Sequence, residues 1–140
     1  HDAGDIVLKT VARSLENLCS GKVYRYGGEE FTILYNHQNY KKIYTELEKI
    51  RKYIAKNKID ISKTKDSKKQ KQKKVAVTIS LGFAGYNDEI NTPTKVLKKA
   101  DEYLYKAKEN GRNRIECDMS VLREDKSAKE KEQNEDDTIK

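Results

Sequence analysis

The chain has 140 residues, 38% of them charged and 35% apolar, with 30 basic against 23 acidic side chains for a net charge of +7. That length accommodates a single core, and that composition leaves too little apolar surface for every residue to fold. No apolar run approaches membrane-spanning length and no secretory pattern is present. The two cysteines, Cys19 and Cys117, are too few and too distant for a zinc site or a disulfide framework, so the chain reads as a cytoplasmic domain with reduced thiols.

In chain order, His1-Asp2-Ala3-Gly4-Asp5 opens a helix whose stripe is Val7, Val11, Leu15 and Leu18, from about Gly4 to Leu18. Val23-Tyr24 and Phe31-Thr32-Ile33-Leu34-Tyr35 then flank Gly27-Gly28-Glu29-Glu30, the pattern of a β-hairpin with the two glycines at its tip. Glycines there let a ligand approach the backbone, because no Cβ intervenes. The consecutive carboxylates are expected on opposite sides of the outgoing strand, one of them free to hold a hard cation. Taken alone, the same four residues equally describe a tight turn followed by solvated acids.

Tyr40, Ile43, Leu47, Ile50 and Ile54 predict a second helix. Lys63 to Lys74 follows, with seven lysines, one acid and no apolar residue. Such a run could serve a nucleic acid or an anionic membrane. It has neither aromatics for base stacking nor an arginine, and it reads as a solvated loop at about 60–74, with no nucleic-acid partner. Val75, Val77, Ile79, Leu81 and Phe83 alternate with small or polar residues as a half-buried strand. Thr92 and Pro93 signal the start of a third helix with the stripe Val96/Leu97, Ala100, Leu104 and Ala107, ending at Gly111. Ile115 belongs to a short last strand. From Asp118 to Lys140 five basic and eight acidic residues give a charge of −3, leaving +10 on residues 1–117. This tail is expected to be disordered, and the folded domain to span residues 1–117. The excess positive charge would steer an anionic ligand such as a nucleotide triphosphate.

Helix, hairpin, helix, strand, helix, strand is the order of an α+β domain, with helices flanking a mostly antiparallel central sheet. The opening His1–Asp5, the turn Gly27-Gly28-Glu29-Glu30-Phe31, the strand through Val77–Gly82, and Ala100–Arg114 occur in the order that resembles the GGDEF family of diguanylate cyclases. The resemblance runs from His1 to about Ile115. It implies a fold similar to the palm of nucleotidyl cyclases and polymerases, without the strand and helix that precede His1 in the family. The chain, lacking an initiator methionine, therefore reads as a piece of a longer protein truncated at its N-terminal end.

What the resemblance implies chemically is the condensation of two GTP molecules into cyclic di-GMP by a homodimer, each subunit holding one GTP. Glu29 matches the ligand of a Mg²⁺ or Mn²⁺ ion, and Glu30 the carboxylate that activates the attacking hydroxyl. Lys108 and Arg112 match the family's phosphate-binding pair. Asp5 matches the acid that hydrogen-bonds the guanine edge, and His1 lies beside that pocket. Gly27 and Gly28 would let the turn lie against the phosphates. Each cationic or acidic residue also has a structural reading, since acids suit a helix start and bases a helix end.

Two departures from the family pattern stand out. A further metal-binding aspartate and a guanine-binding asparagine belong to the segment before His1, so the chain alone is expected to be nearly inactive. Where many members carry Arg-x-x-Asp for product inhibition, Leu18-Cys19-Ser20-Gly21 stand instead. The competing reading is a non-catalytic module of the same family that binds GTP or relays a signal; the intact turn with Lys108 and Arg112 favours the enzyme. A basic nucleic-acid-binding fragment rests on the lysine run alone.

Overall fold

The computed structural model describes residues 2–62 and 73–122. His1, most of the lysine run and the tail beyond Leu122 lie outside the described residues.

Helix α1 spans Ala3–Leu18. Asp2 caps it, its carboxylate accepting from the Asp5 backbone N–H at 2.9 Å. Strands β1 (Lys22–Gly27) and β2 (Glu30–Leu34) form an antiparallel hairpin. Helix α2 (Tyr40–Lys56) follows, capped by Asn39. Four of its five expected stripe residues, Ile43, Leu47, Ile50 and Ile54, are buried. Each such side chain contributes roughly 1.5–3 kcal/mol on removal from water.

Strands β3 (Ile59–Asp60) and β4 (Lys74–Val75) pair antiparallel, while β5 (Leu81–Gly82) and β6 (Ile115–Glu116) pair parallel. Helix α3 (Pro93–Glu109) makes the crossover that a parallel pair requires. Thr92 is its N-cap and Pro93 its first residue, as the sequence implies. Asn110 ends it, and Gly111 takes a φ of 117° just beyond. A 3₁₀ turn, Met119–Leu122, packs against α2.

The α+β class holds, with helices against small, chiefly antiparallel sheets. Val75, Val77 and Ile79 do alternate inward, with Ala76 and Thr78 exposed, as the pattern predicts. Residues 76–80 nevertheless form no ladder with any described strand. Alternation specifies which face is buried; a ladder also needs a neighbouring backbone.

The core has two clusters. One centres on Val11, Leu15, Ile50, Ile54 and Ile59, the other on Ile43, Leu47 and Ile115, and Ile33 of β2 touches both. Helix α3 meets β5 at Gly82, where an added Cβ would lie 2.1 Å from the Leu104 nitrogen and 2.3 Å from the Ala100 oxygen. Only a glycine admits a helix backbone that close.

Candidate functional site

The hairpin turns one residue later than its glycines suggest. Gly27 still pairs, opposite Glu30, so Gly28 and Glu29 make the loop. A register irregularity between Arg25 and Gly27 accounts for the offset. Gly28 sits at φ 54°, with nothing within 4 Å of where a Cβ would be. That left-handed backbone favours glycine, and the space above the turn stays open. Arg25 fastens the tip, its Nε and Nη2 donating to the Gly28 carbonyl at 3.1 and 2.6 Å. Sequence reasoning assigned Arg25 no role, although its place two residues before the glycines was the available signal.

The tip separates the two carboxylates. Glu29 is exposed on the turn. Glu30 begins β2, half-buried, with its Oε1 3.6 Å from Lys108 Nζ at the C-terminal end of α3. Both partners retain over a third of their exposure, 35% for Lys108 and 40% for Glu30, so the pair is worth about 1 kcal/mol or less. Lys108 is thus weakly engaged and keeps a third of its side chain in solvent.

Beyond α3 the chain makes an unusual turn. Gly111, Arg112 and Asn113 have φ of 117°, 62° and 45° in succession, and the last two are not glycine. Left-handed backbone in ordinary residues costs of order 1–3 kcal/mol each and persists only where the surroundings enforce it. Here the Arg112 N–H donates to the Ala107 carbonyl at 2.8 Å, and the Asn113 N–H to Ser80 Oγ at 3.1 Å. Arg51 of α2 donates through Nη1 to the Asn113 carbonyl at 3.2 Å and to its Oδ1 at 2.7 Å. The turn presents Arg112 as an exposed cation four residues after Lys108.

Of the residues singled out in the sequence, the structure brings Glu30 and Lys108 together and sets Glu29 and Arg112 on the adjoining turns. Gly27 and Gly28 shape the hairpin tip. Asp5 is exposed in the first turn of α1, and no hydrogen bond or ion pair joins it to the hairpin. His1 lies outside the described residues. No three His, Cys, Asp or Glu side chains converge among the described residues. Glu29 and Glu30 are nonetheless adjacent hard oxygen donors.

The segment Leu18–Gly21 is occupied by other contacts. The Tyr35 hydroxyl donates to Glu46 Oε2 at 2.5 Å and lies 3.0 Å from Cys19 Sγ. Ser20 donates to the same carboxylate through its N–H at 2.9 Å and its hydroxyl at 3.1 Å. Partial burial alone would raise the Glu46 pKa; the hydrogen bonds from Tyr35 and Ser20 outweigh it and hold the carboxyl below its ordinary range. Burial, reinforced by the neighbouring Cys19 and Glu46, pushes the Tyr35 phenol upward. Burial likewise raises the Cys19 thiol, and takes Cys117 to about 11. Both cysteines are free, and neither is activated as a nucleophile. A Cβ on Gly21 would stand 2.8 Å from Ile33 Cγ2 and 2.9 Å from the Leu34 carbonyl oxygen, so the glycine is needed for close approach to β2.

Comparison with known proteins gives the family. Residues 1–114 match the family described as diguanylate cyclase, GGDEF domain. Diguanylate cyclase A of Treponema denticola is 35% identical over 124 residues, covering 87% of this chain and 31% of that protein. Diguanylate cyclase DosC of Escherichia coli is 32% identical over 118 residues, covering 83% of this chain and 24% of that protein. The chain therefore spans a third or less of these relatives' length. Among solved structures, the GGDEF domain of DgcB from Caulobacter crescentus, in complex with c-di-GMP, superposes with a TM-score of 0.70 at 28% identity, over 81% of this chain and 64% of that one. The active GGEEF domain of a Vibrio cholerae diguanylate cyclase gives 0.60 at 27% identity, over 89% of this chain and 72% of that one. With the Gly-Gly-Glu-Glu-Phe hairpin facing Lys108, and with a match that runs from the first residue to Arg114, the chain belongs to the GGDEF family of diguanylate cyclases.

Proposed function

We propose that this domain serves a homodimeric diguanylate cyclase that condenses two GTP molecules into cyclic di-GMP and pyrophosphate. The observation that carries the proposal is the approach of Glu30 to Lys108, which sets a carboxylate and a cation 3.6 Å apart beside an open glycine turn. In each transfer a 3′-oxygen forms a bond to the α-phosphorus, the bond from that phosphorus to the pyrophosphate oxygen breaks, and the hydroxyl proton leaves. Glu30 accepts that proton or orients the hydroxyl that loses it. Lys108 and Arg112 offset the negative charge on the departing pyrophosphate. Gly27 and Gly28 keep the turn bare, so the phosphates can lie along the backbone. Asp5 and His1 would meet the guanine edge. A Mg²⁺ or Mn²⁺ ion would be held by Glu29, supplying Lewis-acid polarisation of the phosphate. Each subunit holds one GTP, and the dimer brings the two together.

The test is formation of cyclic di-GMP from GTP by the complete protein with Mg²⁺ or Mn²⁺. Robust product is expected from it, and little from the 140-residue chain alone, whose described residues bring no third metal-ligating side chain to Glu29 and Glu30. GTP binding without any product from the complete protein would overturn the enzymatic reading in favour of a binding module.

Feedback by product should be weak. Leu18 is 43% exposed and offers only apolar area where a bidentate arginine would be needed, and the Glu46 carboxylate is already engaged by Ser20 and Tyr35. Calorimetric titration of the complete protein with cyclic di-GMP, its active site blocked by a GTP analogue, is expected to show no tight binding. A tight site under those conditions would sink the idea.

A further inference from the structure

The left-handed turn at Arg112 and Asn113 is held from a part of the chain far away in sequence. Arg51 lies on α2, 62 residues before Asn113, with its side chain 15% exposed. Its Nε and Nη2 donate to the two oxygens of Glu48 at 2.8 and 2.9 Å, the fork geometry in which guanidinium and carboxylate fix one another. That leaves Nη1 directed at Asn113, where it meets both the backbone carbonyl and the side-chain oxygen. Ser80 Oγ accepts from the Asn113 N–H at 3.1 Å. Asn113 is therefore gripped at its N–H, its carbonyl and its side chain, and the residue immediately before it is Arg112.

We propose that Arg51 is a positioning residue for nucleotide phosphates: clamped by Glu48, it locks the Asn113 turn and so fixes where Arg112 meets the triphosphate. The proposal rests on the reading of Arg112 as a phosphate-binding residue. Glu48 makes the clamp directional, because a guanidinium fixed at two nitrogens has little freedom to follow a wandering turn. The two consecutive non-glycine left-handed residues supply the need for it, since such a backbone relaxes when its restraints are removed. Lysine at position 51 would keep the charge and lose the fork, because one ammonium cannot serve Glu48 bidentately and Asn113 together.

Three variants of the complete protein test this: Arg51→Lys, Arg112→Ala and the double substitution, with GTP and guanosine affinities and melting temperatures measured for each. Arg51→Lys is expected to weaken GTP binding roughly tenfold, the scale of one charge-assisted contact, and to leave guanosine binding unchanged. In the Arg112→Ala background the same substitution should cost GTP affinity nothing further. A merely structural Arg51 would instead weaken guanosine and GTP alike, or add its full effect to that of Arg112→Ala, and either result would overturn the proposal. Arg112→Ala leaving GTP affinity untouched would refute the phosphate-binding reading itself, a failure distinct from that of Arg51. Should Arg51→Lys not fold, Asn113→Gly removes the Oδ1 acceptor while easing the left-handed backbone. It is expected to show a smaller loss with the same selectivity for GTP over guanosine, and an equal loss for both would count against the clamp.

Discussion

Replacing Glu30 with Gln in the complete protein will lower cyclic di-GMP formation by about a hundredfold or more, the usual scale for losing a positioned proton acceptor. The substitution keeps the side chain's size and its place at the head of β2. It removes the charge that faces Lys108 at 3.6 Å and, in the proposed mechanism, the basicity beside the attacking hydroxyl. Stability should move by no more than about 1 kcal/mol, because the ion pair it breaks is largely solvated. Product quantified by chromatography, beside a thermal melt, separates these effects. Undiminished product from a well-folded Glu30→Gln protein would show that the hairpin carboxylate has been assigned wrongly.

The largest effect on folding is expected from Gly82→Ala, at about 3 kcal/mol or more. The atoms an alanine methyl would meet are backbone: the Leu104 nitrogen at 2.1 Å, the Ala100 oxygen at 2.3 Å and the Tyr103 carbonyl carbon at 2.7 Å. None can turn aside without moving α3 off β5. Gly85 provides the contrast. A methyl there would meet the Tyr40 hydroxyl at 2.1 Å, but that ring sits at the end of a side chain and can swing away, so Gly85→Ala should cost less. Urea midpoints of the two variants decide the point, and equal stability of Gly82→Ala and the parent would refute the packing of α3 on β5.

Much of the fold was legible because its signals are local. The α2 stripe of Ile43, Leu47, Ile50 and Ile54 is buried as helical periodicity requires, and Thr92-Pro93 starts α3 where capping chemistry places it. Signals failed where the determinant lies elsewhere in the chain. The hairpin tip moved to Gly28-Glu29 because Gly27 stays in the ladder and Arg25 reaches across the turn to the Gly28 carbonyl. Alternation identified the inward face of Val75–Ile79 but could not supply a pairing partner for residues 76–80. Arg112 and Asn113 adopt left-handed backbone without being glycine, so nothing in their identity announces it. Their restraints come from Ser80 and Arg51, 33 and 62 residues away from Asn113. For the site, the family resemblance singled out Glu29, Glu30, Lys108 and Arg112 by role; the ion pair between Glu30 and Lys108 is a contact that no local signal in the sequence announces.

The contact at Gly82 has a mechanical consequence. Because α3 rests on the β5 backbone at Gly82 with no side chain between, Lys108 and Arg112 ride on a unit that cannot shear there without a steric collision. The acids ride on another unit, the hairpin supported by α1. Ile33 of β2 packs into both core clusters, the second of which contains Ile115 of β6, so an apolar floor ties the hairpin to the unit that carries α3 beneath the exposed pair of Glu30 and Lys108.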